Sequence, residues 1–205
     1  MFDCVIPAAG ASSRMVEPGG ASKLKPLLAF RGSTLVETAV AAALEADCRA
    51  ILVVGHCAAD VAMRFGDPAY ASAREQGRLR IVENPRWEEG MLVSIQAALP
   101  AVESSAFFLA HADMPFIEPA HYRAIEAAFV EGGSETAAFG SHEGRRGHPA
   151  LLPSAWIPAI VEFDPRGSLR DFVSGKDCII VETGAGSLFD VDTPEDYRRA
   201  LAGEI

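Results

Sequence analysis

The stretch 7–25 reads Pro7-Ala8-Ala9-Gly10-Ala11-Ser12-Ser13-Arg14-Met15-Val16-Glu17-Pro18-Gly19-Gly20-Ala21-Ser22-Lys23-Leu24-Lys25. The apolar run 2–6 before it has the make-up of a short buried strand, so the small-residue segment is the loop leaving that strand's carboxyl end. In open α/β sheets, ligands bind along that edge. Ala8, Ala9, Gly10 and Ala11 are small enough for backbone amides to reach a ligand, while Ser12, Ser13 and Arg14 add donors that suit phosphate. Lys23 and Lys25, two of the three lysines in the chain, close the segment. These residue types fit a triphosphate cradle; by composition alone they also fit a solvated surface loop. The spacing is neither a dinucleotide fingerprint, since Gly-x-Gly-x-x-Gly is absent, nor a P-loop, since no Gly-Lys-Ser/Thr follows the glycines.

Outward from that loop, short apolar runs alternate with helical patterns. Residues 34–46 predict a helix capped by Ser33 or Thr34, 50–54 a second strand ending at Gly55-His56, and 58–65 another helix. Residues 66–77 read as a surface excursion and 79–82 as a third strand, stopped by Glu83-Asn84-Pro85. Met91, Ile95 and Leu99 share one face of a helix over 91–99. The strand 106–110 runs into Asp113, 119–130 predicts a helix stopped by Gly132-Gly133, and 136–139 and 150–152 are strand-like around a basic turn at 143–147. Two short helices, 154–161 and 168–173, precede a strand at 178–181, and Thr193-Pro194-Glu195 opens a final helix. The alternation predicts one α/β domain over 1–205, with a mostly parallel sheet and helices on both faces.

Composition bounds the partners. The 205 residues, 49% of them hydrophobic, are enough for one sizeable core, and a formal net charge of −10 excludes a nucleic-acid or anionic-membrane surface. A basic first loop in so acidic a chain is suited to a small anionic substrate. Cys4, Cys48, Cys57 and Cys178 lack Cys-x-x-Cys spacing, so they read as small core residues of a reducing, cytoplasmic compartment. No apolar run reaches membrane length.

Asp113, just past the strand 106–110, stands at the same sheet edge as the first loop. Asp190 and Asp192 precede the last helix. Each aspartate fits a turn or a helix cap. Two carboxylates beside a basic loop also fit a Mg²⁺ site on a nucleotide's phosphates, because magnesium takes few protein carboxylates and completes its octahedron with phosphate and water oxygens. His56 and His111 at strand ends read as hydrogen-bonded residues at the core edge, and Trp87 and Met91 as core.

Taken together, Ala8-Ala9-Gly10 with Arg14-Met15, Asn84-Pro85-Arg86-Trp87-Glu88-Glu89-Gly90-Met91 with Ser94, Asp113-Met114-Pro115, Gly147-His148-Pro149 and Asp190-Val191-Asp192-Thr193-Pro194 resemble, in order and over nearly the whole chain, the motifs of the MobA-like NTP transferases. Within them the likeness is to the molybdenum cofactor cytidylyltransferases. The resemblance implies a three-layer α/β/α sandwich with a Rossmann-like sheet of the nucleotide-diphospho-sugar transferase type. It also implies transfer of CMP from CTP to molybdopterin with release of pyrophosphate. Carried over motif by motif, Ala8, Ala9 and Gly10 meet the nucleotide, and Arg14 and Lys25, with Lys23 as rival, meet its phosphates. Gly55, His56, Asn84 and Ser94 line the nucleotide side, and Arg146, Gly147 and His148 the acceptor side. Asp113 and Asp192, with Asp190 as the alternative second ligand, hold Mg²⁺. Ala9, where guanylyltransferase relatives carry a second glycine, favours cytidine. Pro7 and Ala112 differ from the family's usual leucine and glycine, and residues 16–22 lengthen the first loop. The other readings are transfer to another phosphorylated acceptor, such as a sugar phosphate, methylerythritol phosphate or a phospholactate, and a non-catalytic accessory protein serving a molybdenum hydroxylase apoenzyme.

Overall fold

The first strand, β1 (Asp3–Pro7), is buried on both faces, with Cys4 and Ile6 on one side and Val5 on the other. Continuous apolar runs of this kind belong inside a parallel sheet covered by helices. A computed structural model, describing residues 1–11, 24–56 and 58–205, bears this out. In chain order β1 is followed by a small hairpin, β2 (Ala29–Phe30) and β3 (Ser33–Thr34), and by α1 (Leu35–Glu45), β4 (Arg49–Val54), α2 (Ala58–Arg64), α3 (Ala71–Glu75), β5 (Leu79–Glu83), α4 (Met91–Ala98) and β6 (Ala106–Leu109). The second half comprises α5 (Pro119–Glu131), β7 (Ala137–His142), β8 (Arg145–Pro153), α6 (Ile157–Glu162), α7 (Leu169–Val173), β9 (Cys178–Glu182) and α8 (Pro194–Ala202).

Seven strands form one sheet in the order β5-β4-β1-β6-β8-β7-β9, and only β8 runs against its neighbours. One apolar layer packs α1 and α5 on the Cys4, Ile6, Leu52 and Phe108 face. The other packs α4, α6 and α7 on the Val5, Ile51, Phe107 and Leu109 face. The result is the three-layer α/β/α arrangement.

Three local expectations change. The basic turn expected over 143–147 shrinks to Glu143-Gly144, whose φ values of 50° and 74° suit a two-residue hairpin, so Arg145, Arg146 and Gly147 belong to β8. The excursion 66–77 holds a 3₁₀ turn over Pro68–Tyr70, capped by Asp67, whose Oδ1 accepts from the Ala69 amide at 2.8 Å, and then α3. Met91 is not core: it is 52% exposed at the first turn of α4, whereas Ile95 and Leu99 are buried.

The amino-terminal edge of the sheet is held by a buried carboxylate. Asp3, 1% exposed, accepts through Oδ2 from the amides of Glu103 and Ser104 (both 2.8 Å), the Ser104 hydroxyl (2.7 Å) and Arg49 Nη2 (2.9 Å). Burial alone would raise its pKa; these bonds outweigh it and hold the carboxyl below the usual range. Asp3→Asn is expected to cost about 1.5–3 kcal/mol at neutral pH in denaturant unfolding. Because the folded-state pKa is depressed, that difference fades as pH falls below the unfolded value of about 3.9 and is gone once the lower folded value is passed. A stability gap that is the same at pH 7 and in strong acid would contradict this.

Candidate active site at the carboxyl edge of the sheet

The carboxyl ends of β1, β4, β5 and β6 open on one side, and backbone bonds tie their exit loops together. The Ala8 amide donates to Val53 O (2.8 Å), the His56 amide to Ala9 O (2.9 Å) and the Asn84 amide to Val54 O (2.8 Å). Ala8 and Ala9 are buried and Gly10 is exposed. At Gly55 a Cβ would lie 2.5 Å from Trp87 Cβ and 2.9 Å from Ala9 Cβ, so only glycine lets the end of β4 pack between them. Half-buried Trp87 lies against the His56 ring, with centroids 4.8 Å apart. Asn84 Nδ2 donates to Ser94 Oγ at 2.9 Å, and Asn84 Oδ1 accepts from the Arg86 amide at 3.0 Å. This buried pair fastens the loop after β5 to α4.

The charged centre draws on three distant segments. Lys25 Nζ lies 2.5 Å from Asp113 Oδ2 and 2.7 Å from Asp192 Oδ1, so one ammonium bridges the two carboxylates predicted to converge. Burial would lower the Lys25 pKa, but Asp113 and Asp192 outweigh it and raise it, so the amine is charged at neutral pH. An apolar cluster explains the convergence. Leu28 follows Lys25 on its 3₁₀ turn, Phe116 follows Asp113, and Val191 precedes Asp192; all three are buried together with Phe30, Leu35 and Ala200. The Val191 amide also donates to Asp113 O at 2.9 Å. Thr193 and Asp196 form a capping box at the start of α8, which fixes the loop carrying Asp192. Arg14 and Lys23 lie outside the described residues.

Asp113 Oδ1 is buried and takes no hydrogen bond. An orphan carboxylate oxygen costs about 1–3 kcal/mol, which a cation would recover. Among the described residues no group of three or more His, Cys, Asp or Glu forms a metal cage. A carboxylate pair with an orphan oxygen therefore fits a hard cation that takes its other ligands from phosphate and water, and not a structural zinc. Asp113 and Asp192 are the residues that would hold it. Asp190 lines the adjacent cleft; burial raises its pKa, and the charges of Asp192 and Asp113 raise it further.

That cleft, of about 620 Å³, reaches from His111, Met114 and Asp190 to Arg145, Arg146 and Arg170. His111 and His148 stack in its wall with centroids 4.0 Å apart. His148 Nδ1 donates to Leu109 O at 3.3 Å, while His111 Nε2 is buried without a partner, unlike the hydrogen-bonded edge residue expected. Burial pushes the pKa of both rings down, that of His148 well below the usual range, so both are neutral at pH 7. Gly147 is needed for close packing: a Cβ there would sit 1.9 Å from Ser187 O. Arg145 and Arg170 were not singled out as site residues by sequence, and a surface-like arginine in a short helix carries no signal that could have marked Arg170.

The MobA-like NTP transferase domain matches residues 4–179. The chain belongs to the MobA-like NTP transferases. It is 31% identical over 197 residues to the molybdenum cofactor cytidylyltransferase of Escherichia coli K12, covering 96% of this chain and 93% of that protein. It is also 30% identical to nicotine blue oxidoreductase of Paenarthrobacter nicotinovorans, covering 96% and 95%. Rv0371c of Mycobacterium tuberculosis H37Rv shares the fold with a TM-score of 0.77 at 24% identity, over 98% of this chain and 99% of its own, and its manganese complex superposes at 0.72. As a MobA-like nucleotidyltransferase, the chain has Asp113, Asp192 and the start of its first loop, residues 8–11, on the edge where this α/β fold receives ligands. No helix among the described residues is long and apolar enough to cross a membrane.

Proposed function

We propose that this protein transfers CMP from CTP to the terminal phosphate of molybdopterin and releases pyrophosphate. The observation that carries the reading is the Lys25 bridge between Asp113 and Asp192 beside a cleft large enough for an acceptor, in a chain related over 96% of its length to a molybdenum cofactor cytidylyltransferase. An acceptor phosphate oxygen attacks the α-phosphorus of CTP; the bond to the α–β bridging oxygen breaks, and its electron pair leaves with pyrophosphate. A phosphate nucleophile is largely ionised at neutral pH, so no strong general base is needed, and the protein's work is positioning and charge neutralisation.

In this reading Ala8, Ala9 and Gly10 offer backbone groups to the nucleotide, while Gly55, His56, Asn84 and Ser94 shape its base and ribose side. Lys25 and Arg14 stabilise the departing pyrophosphate. Asp113 and Asp192 hold Mg²⁺, which when bound neutralises phosphate charge. Arg146, Gly147 and His148 form the acceptor side. The manganese complex of Rv0371c, a protein of the same fold, is in keeping with a divalent cation.

A second reading, a non-catalytic accessory protein for a molybdenum hydroxylase apoenzyme, draws support from the P. nicotinovorans relative, whose name is that of an oxidoreductase. Pyrophosphate release from each of the four NTPs, with and without molybdopterin, separates the two. Release from CTP only in the presence of molybdopterin is the expected result. Tight molybdopterin binding with no release would move the assignment to the accessory role, and release from GTP instead would overturn the cytidine preference.

A further inference from the structure

Arg145, Arg146 and Arg170 line the cleft, and among the described residues none of them pairs with a carboxylate. Elsewhere in this acidic chain Arg49, Arg64, Arg86 and Arg166 each meet one, whereas among the described residues Arg31, Arg74, Arg123 and Arg199, like the cleft arginines, do not. Arg146 is held in place by other means: its guanidinium lies 5.5 Å over the Phe139 ring and Nη1 donates to Cys178 Sγ at 3.6 Å. Arg145 and Arg170 are exposed at the rim. The same cleft reaches the charged centre: His111 stands two residues before Asp113, its ring lies against that of His148, and both histidines line the cleft with Arg145 and Arg170. The floor between is apolar, built by Leu92, Ile95, Leu109, Phe139 and Val173. Unpaired guanidiniums around an apolar floor match a ligand that offers an apolar surface and an anionic group.

We propose that Arg145 and Arg170 select the acceptor by binding an anionic group other than the phosphate that reacts, with an apolar face of the acceptor on the floor of the cleft. That the ligand is the acceptor rests on the transferase reading; the cleft's preference for a ligand with an anionic group and an apolar surface does not. Two fluorescent probes share one aromatic body and differ in charge: 8-anilino-1-naphthalenesulfonate and neutral N-phenyl-1-naphthylamine. Each is titrated into the full-length protein, into Arg145→Ala/Arg170→Ala and into the matching double lysine variant. Removing both arginines is expected to weaken sulfonate binding by about 10-fold while neutral-probe affinity stays within about 2-fold, and the lysines are expected to restore part of the loss. An unchanged ratio, a parallel loss of both probes, or no binding of either probe to the parent would overturn the proposal. Pyrophosphate release from CTP and molybdopterin is followed on the same samples. If release is absent while the arginine-dependent preference stands, the transferase reading fails and the cleft assignment survives.

Discussion

Replacing Asp113 by asparagine should lower pyrophosphate release by about 10²- to 10³-fold, the range typical when a charge-stabilising group is removed from a transition state. The substitution keeps the volume and removes the charge that Lys25 Nζ meets at 2.5 Å, and with it the anionic character of the buried, unpartnered Oδ1. The fold should tolerate it. A buried carboxylate oxygen without a partner is a cost to the folded state, so the variant should unfold within a few degrees of the parent or slightly above it. Stability and activity thus move independently, which a purely structural aspartate would not allow. Near-normal turnover in Asp113→Asn, or collapse of the fold, would remove this residue from the catalytic centre.

Lys25→Ala should show a loss of activity of similar size with the opposite effect on stability. Without the ammonium, Asp113 and Asp192 face each other with Asp190 close by, and destabilisation of about 1–3 kcal/mol follows from leaving partly buried carboxylates without this partner. The two variants test one unit: if Lys25 and Asp113 serve the same charged centre, the double variant loses far less rate than the product of the single losses. Strictly multiplicative losses in initial-rate measurements would mean that the two residues act separately.

Much of this arrangement was legible in the sequence because the signals were local. A buried run before a small-residue loop marked β1, and the strand leading straight into Asp113 put that carboxylate on the ligand edge. Thr193-Pro194 marked the start of α8. What could not be read was which charges meet: nothing local to Lys25 says that its partners are Asp113 and Asp192, because Leu28, Phe116 and Val191 bring the three segments together through tertiary packing. The exposure of Met91 has the same root, since helical periodicity distinguishes apolar from polar and not core from cleft rim. The strand residues Arg145 and Arg146 read as a turn because their burial pattern is set by the hairpin partner, not by their own composition.

The bridge between Lys25 and Asp192 spans 167 positions of sequence. Closing so long a segment is costly before its contacts form, so the charged centre is among the last features a growing chain can complete. A nascent polypeptide that ends before Val191 would expose that residue's binding place on the Phe30 and Phe116 surface and would have no Asp192 carboxylate to offer. The charged centre therefore cannot close until the segment that carries Asp192 has been made.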